Sequence, residues 1–148
     1  QPTVAKAAFA AGADMILGHH AHTPKAITVY DNKVCFFSIS NFIMSSSEKT
    51  PEAAAKFEKN YRVTLDPDYP RLPYGSDGKR TLITKAIFSN KGVEKVSFLP
   101  TLIDQKLRPE ILKNGDPRFD EAIQFMEWVS EDFPHNFNVV GDEVIITG

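Results

Sequence analysis

Gly18-His19-His20-Ala21-His22 brings three of the chain's four histidines into five residues, directly after the apolar run Ala13 to Leu17. Neutral imidazole is the commonest side-chain metal ligand, and residues two apart at the frayed end of a strand can aim at one point. The pattern points to part of a metal site. Imidazole pairs suit Zn, Mn, Fe and Ni alike, so the residues leave the metal open. In an extended segment His20 and His22 share a face while His19 points the other way, which makes His20 and His22 the expected ligands of a single metal. A sharp backbone turn there would let His19 join a second metal instead. Hydrolytic metal pairs are usually held by bridging carboxylates as well. The nearest acid, Asp14, is expected in the turn before the strand, so the local chain does not supply a complete shell.

Such a cluster needs elements to carry it. Pro2 suits the first turn of a helix, Val4, Ala7, Ala8 and Ala11 keep helical spacing, and Gly12 suits the helix end, which predicts a helix from about Gln1 to Ala11. Ala13 to Leu17 then reads as a short buried strand. The histidines fall at its carboxyl end, where α/β sheets usually place their ligand sites.

Ile27 to Tyr30 and Lys33 to Ile39 are β-rich runs separated by Asp31-Asn32, two residues that tolerate the positive φ of a tight hairpin. The second run has large apolar groups on both parities and is expected to be a central strand covered on both faces. Its Cys35 reads as a small buried hydrophobe, and one cysteine cannot form a disulfide within the chain or identify a redox compartment. Thr81 to Phe88 and Glu94 to Leu99 flank Ser89 to Gly92 as a second hairpin, and Phe137 to Val140 and Glu143 to Ile146 form a third around Gly141-Asp142. Asp116 can cap a helix beginning at Pro117, with Phe119, Ala122, Ile123, Met126, Val129 and Phe133 on one stripe. Phe125 and Trp128 lie off that stripe and read as packing against a neighbouring element, and His135 reads as a polar loop residue. From Met44 to Arg80 the periodicity dissolves, apart from a helical candidate from Pro51 to Lys59. A stretch this long is usually a functional lid or a disordered insert.

A chain of 148 residues with 42% hydrophobic and 24% charged residues is long enough for one domain with a core and is ordinary for a soluble protein. Its formal net charge of −2 gives no electrostatic case for nucleic acid. Neither a signal peptide nor an apolar run long enough to cross a bilayer is evident. The chain begins at Gln1 without Met and reads as a piece of something longer. Arg62, Arg71, Lys79 and Arg80 could meet phosphate or a polyanion from the long loop, although a solvated charged surface is the ordinary reading of such residues. Ser45 to Ser47 lacks a base at recognisable spacing and gives no nucleophile signal.

Gly12 to His22, followed by Ile27-Thr28-Val29-Tyr30, Lys33-Val34 and Phe37-Ser38-Ile39-Ser40-Asn41-Phe42, resembles the bacterial capsule-synthesis CapA family, also called the poly-γ-glutamate synthesis family. That family is similar to calcineurin-like metallophosphoesterases. The tail is similar too, and Met44 to Arg80 is its least typical part. The resemblance implies an α/β fold, here part of a four-layer α/β/β/α sandwich, with residues 1–148 as the C-terminal part of one domain and an insert at about 44–80. It implies two divalent cations, Mn, Fe or Zn, with His20 and His22 as ligands and His19 next, as a further ligand or as the acid that protonates the leaving group. Asn41 falls in the following motif, where it fixes the loop or approaches the site.

The family's earlier Asp-rich, Gly-Asn-x-Glu and Asn-Asn-His motifs have no counterpart here, so the remaining ligands are expected from an absent N-terminal half. For this chain alone the expectation is weak metal binding and little turnover. The function implied for the whole protein is metal-dependent phosphoester hydrolysis tied to capsule or poly-γ-glutamate synthesis, acting on an anionic polymer or other phosphoester, on the outer side of the membrane. The alternative is a non-catalytic polymer-binding or assembly module of an export complex.

Overall fold

The computed structural model describes residues 1–43, 47–72 and 74–148. Ser45 and Ser46, part of the serine run without a nucleophile signal, lie outside the described residues, as do Met44 and Pro73.

Helix α1 (Pro2–Ala10) starts on its proline and stops at Gly12, whose φ is +103°. The Gly12 amide donates to Phe9 and the Ala13 amide to Ala8, closing a Schellman cap. Ala13 is thereby claimed by the helix end, and strand β1 covers only Met15–Leu17. Strands β2 (Ile27–Tyr30) and β3 (Lys33–Phe36) form the expected hairpin, with Asp31 and Asn32 at φ 49° and 62°. Both central residues are left-handed, as a turn matched to strand twist requires. β1 pairs in parallel with β3, so this smaller sheet has the order β1-β3-β2.

β3 is covered on both faces, as its sequence predicts. Val34 and Phe36 join the main core, while Cys35 and Phe37 pack with Ala5 and Ala26 beneath α1. Burial alone pushes the Cys35 thiol up to about 11, which keeps it neutral and unreactive.

Helix α2 (Pro51–Tyr61) is capped by Thr50, whose hydroxyl accepts from the Ala53 amide, and leaves through Arg62 at φ 54°. A short 3₁₀ turn (Ser76–Lys79) leads into β4 (Arg80–Ser89). The next strand, β5 (Gly92–Ile103), runs beyond the expected end at Leu99 because Pro100 forfeits only one ladder donor and its carbonyl still accepts from the Leu112 amide. Sequence reading missed β6 (Pro109–Ile111), which has three residues and too few positions to display a period. Helix α3 (Pro117–Ser130) has its Asp116 cap, and β7 (Asn136–Val140) and β8 (Glu143–Thr147) close the chain as a hairpin.

The larger sheet has the order β4-β5-β8-β7, with β6 on β5. Its Leu82, Val96, Phe98, Val144 and Ile146 face Ile27, Val29, Val34 and Phe36 of the smaller sheet, and Phe119, Ala122 and Met126 of α3 complete the same core. Burial of Phe36, Phe98 and Phe119 contributes about 2–3 kcal/mol each. At the end of α3 the Ser130 hydroxyl accepts from the Ile27 amide at 3.0 Å, tying the helix to β2. Phe125 packs against the core under the Arg80 guanidinium, whereas Trp128 is 62% exposed and does not meet the packing role read from its position. The fold is α/β. Among the described residues no helix is long and apolar enough to cross a membrane.

Candidate functional site

The parallel pairing of β1 with β3 decides where the histidines go. Gly18 continues that pairing: its amide donates to Phe36 at 2.7 Å, and its carbonyl accepts from Ile39 at 3.0 Å. Phe37 and Lys25 are in turn hydrogen-bonded through Ala26 and Ser38, so the β3 chain stays pinned between both neighbours beyond its formal end. A Cβ on Gly18 would lie 2.3 Å from the Phe37 carbonyl oxygen and 2.6 Å from that of Phe36. Only glycine permits this approach. The histidine segment and the Ser38–Asn41 segment therefore leave the sheet side by side, at the carboxyl ends of two parallel strands.

Beyond Gly18 the backbone is not extended. His20 has φ 84°, His22 φ 58° and, across from them, Ser40 φ 71°. Histidine is among the residues enriched in the left-handed region, but each such residue still costs about 1 kcal/mol or more, and such costs concentrate at functional sites. The alternation argument that put His20 and His22 on one face therefore does not apply to this turned segment. His19 is exposed and lines a groove of about 380 Å³ with Val4, Ala5 and Ala8 of α1 and Ile16 and Cys35 of the sheet. His20 is also exposed. His22 is half-buried and turns toward Asn41.

The His22–Asn41 pair is the most defined part of the site. His22 Nδ1 lies 2.6 Å from Asn41 Oδ1, while Asn41 Nδ2 donates to the carbonyls of His22 at 3.0 Å and Gly78 at 3.4 Å. Carbonyls only accept, so the amide nitrogen must face them and Oδ1 must face the ring. Nδ1 then donates to Oδ1, and of the two neutral tautomers this selects the one whose lone pair lies at Nε2. Among the described residues no hydrogen bond occupies Nε2. A histidine held through one nitrogen and open at the other is the arrangement found in metal ligands.

Tyr74 completes the setting. Its ring stacks on that of His22 with centroids 4.1 Å apart and planes 4° from parallel. Burial, and secondarily Tyr61, raise its phenol above the ordinary range, so it is neutral. Sequence reasoning missed Tyr74 and Gly78. They lie in the proline-spaced stretch without periodicity, and no local signal could have brought them to residues 19–41.

The charges expected to meet a polyanion are partly committed. Lys79 lies 3.5 Å from Asp66, and Arg80 lies 2.8 Å from Asp77. The Thr81 hydroxyl donates to the Ile39 carbonyl, which ties the start of β4 to the same end of the smaller sheet.

As a metal site the arrangement fits in one part and falls short in another. The open Nε2 of His22 is suited to a cation, and the buried Ser40 hydroxyl has no hydrogen-bond partner among the described residues. Yet no group of three or more His, Cys, Asp or Glu side chains among the described residues is placed to hold a metal. The described residues of this chain do not by themselves make a metal shell.

Comparison with known proteins places these residues in a family context. Residues 1–46 match the family model of the bacterial capsule synthesis protein PGA_cap, a stretch that includes the histidine segment and Asn41. Over 92 residues, 62% of this chain, the sequence is 44% identical to the capsule biosynthesis protein CapA of Bacillus anthracis. Over 43 residues, 29% of this chain, it is 46% identical to the PGA biosynthesis protein CapA of Bacillus subtilis (strain 168). The matches span only 22% and 11% of those two proteins. The chain is thus similar over part of its length to bacterial CapA capsule-synthesis proteins, and the stretch matched by the family model contains the histidine segment.

Proposed function

We propose that the whole protein is a metal-dependent phosphoester hydrolase acting in capsule or poly-γ-glutamate synthesis, and that this chain supplies the last corner of its metal centre. The hydrogen bond from His22 Nδ1 to Asn41 carries the reading, because it presets the tautomer a ligand needs. Two divalent cations bound there would activate a water and stabilise the oxygens of an in-line displacement at phosphorus. Within this chain His22 holds, Asn41 orients, and exposed His20 is free to turn toward the same centre. His19, on the α1 side of the turn, is available as a further ligand or as a proton donor to the leaving group. The acids and remaining ligands come, in this proposal, from chain N-terminal to Gln1.

The test is metal content and phosphodiester turnover of the full-length protein beside a His20→Ala, His22→Ala double variant. Stoichiometric Mn, Fe or Zn with metal-dependent turnover, both lost in the variant, is the expected result. A full-length protein without bound metal would refute the proposal.

The groove beneath α1 favours a second reading, a non-catalytic assembly module. Val4 is 73% exposed and Leu17 46% exposed, so the apolar surface of α1 and β1 is open to a covering chain. Full-length protein that binds anionic polymer but neither metal nor phosphodiester would support it.

A further inference from the structure

We infer that Tyr74 is a positioning residue for His22, so that residues 62–72 and 74–79, within the stretch of about 44–80 read from the sequence as an insert, form a wall of the histidine site. The inference deepens the function proposed above by naming what fixes the imidazole that the proposal uses, but it concerns the ring's geometry and stands whether or not a cation binds.

Two restraints of different kind meet at this ring. The hydrogen bond to Asn41 selects between the two flipped settings of the ring about Cβ–Cγ, because turning the ring over would remove Nδ1 from Oδ1. The stack on Tyr74 resists tilting out of the ring plane, because any tilt from the observed 4° brings one edge of the imidazole into the phenol ring. Neither restraint alone fixes the direction of Nε2.

The insert is built to deliver the second restraint. Phe57 of α2 meets Tyr74 edge-on at 6.4 Å, and the Leu65 amide donates to Glu58, folding the chain after α2 back along the helix. Leu72, 1% exposed, anchors the segment just ahead of Tyr74. The same segment supports the first restraint as well, since the Gly78 carbonyl accepts from Asn41. A side chain at Gly78 would lie 2.8 Å from Tyr74 Cβ, so the carbonyl and the stack occupy their places together only with glycine there. Beside Tyr74, Thr23, Lys25, Thr64 and Ser76 line an open cavity of about 420 Å³, which places solvent-accessible space on the Tyr74 side of the stack.

The experiment is nitrogen-15 NMR of the histidine side chains of this chain at about pH 8.5, where imidazoles are neutral, in wild type, Tyr74→Phe, Tyr74→Leu and Tyr74→Ala. Wild type and Tyr74→Phe should show His22 locked as the Nδ1–H tautomer, because the stack needs the ring and not the hydroxyl. Tyr74→Ala and Tyr74→Leu should show averaging between tautomers, because a ring free to tilt breaks its bond to Asn41, with backbone amide spectra unchanged away from segment 62–79 and from residues near His22 and Asn41. Tyr74→Leu keeps bulk without a planar face, so it remains informative if the alanine variant fails to fold. A His22 tautomer still locked in a folded Tyr74→Leu protein, or averaged already in wild type, overturns the inference. Neither result bears on whether the full-length protein binds metal.

Discussion

His22 and His135 are the same residue in two different structural roles. At the close of α3, His135 has an 8% exposed side chain; its Nδ1 lies 2.7 Å from the Phe133 carbonyl, its Nε2 3.0 Å from Glu127, and its ring rests on Phe137. Phe137 in turn meets fully buried Phe98 edge-on, so this histidine is fastened to the main core. Both of its nitrogens are in use. His22 has equal aromatic support from Tyr74, yet only Nδ1 is engaged, and the backbone around it is held in left-handed turns rather than in a ladder. The difference teaches that an anchored imidazole becomes available for chemistry when its second nitrogen is left open, and that burial alone does not distinguish the two cases.

The comparison can be broken from either side. Phe98→Ala strikes the His135 region at its root and should cost about 4 kcal/mol, read as a lowered urea midpoint. Gly18→Ala strikes the other region by driving a methyl into the Phe36 and Phe37 carbonyls and should cost about 3 kcal/mol in the same measurement. A cost under about 0.5 kcal/mol there would mean that β1 and β3 do not approach as described. Asn41→Ala leaves the carbonyls of His22 and Gly78 without their donor and should cost about 2 kcal/mol, while releasing the His22 tautomer in the NMR experiment. His135→Ala should cost about 1 kcal/mol and leave metal content and turnover of the full-length protein unchanged.

The smallest effect belongs to the surface near β8. Hydrogen bonds from Lys85 and then Ser97, with Lys95 beside them, pull the Glu143 carboxyl from 4.5 down to about 2. A depressed carboxyl stabilises the fold above its unfolded value, and that contribution fades as pH falls from about 4.5 toward about 2. Solvent screening keeps it under about 1 kcal/mol. Glu143→Gln should therefore flatten the acid side of the stability profile and leave the neutral side within about 1 kcal/mol of wild type; an unchanged acid limb would show that the cluster contributes nothing.

Elements with a period or a turn signature were legible in the sequence. The stripe from Phe119 to Met126, the Asp116 cap and the Asp31-Asn32 turn appear as read, because each depends on residues a few positions apart. The two-sided burial of β3 was legible for the same reason. Ala13 was misplaced because a helix cap competed for it, while Asp14 lies in the turn before the strand as read, and β6 was missed because its pairing is imposed by β5. At the site, the histidines and Asn41 were legible as types at a spacing, but their directions were not. The extended geometry assumed for residues 19–22 gave way to left-handed backbone at His20 and His22, just past the close approach of Gly18 to β3.

By itself the sequence determined the inventory: an α/β chain with a histidine cluster placed after a short strand, which was expected buried but is half-exposed, an asparagine after the next one, and a family likeness over a stretch that holds both. Only the tertiary structure decided which histidine is held, through which nitrogen and against what. Asn41, Tyr74 and Gly78 reach His22 from distant parts of the chain, and such contacts depend on sheet pairing and loop return, which leave no mark in local spacing.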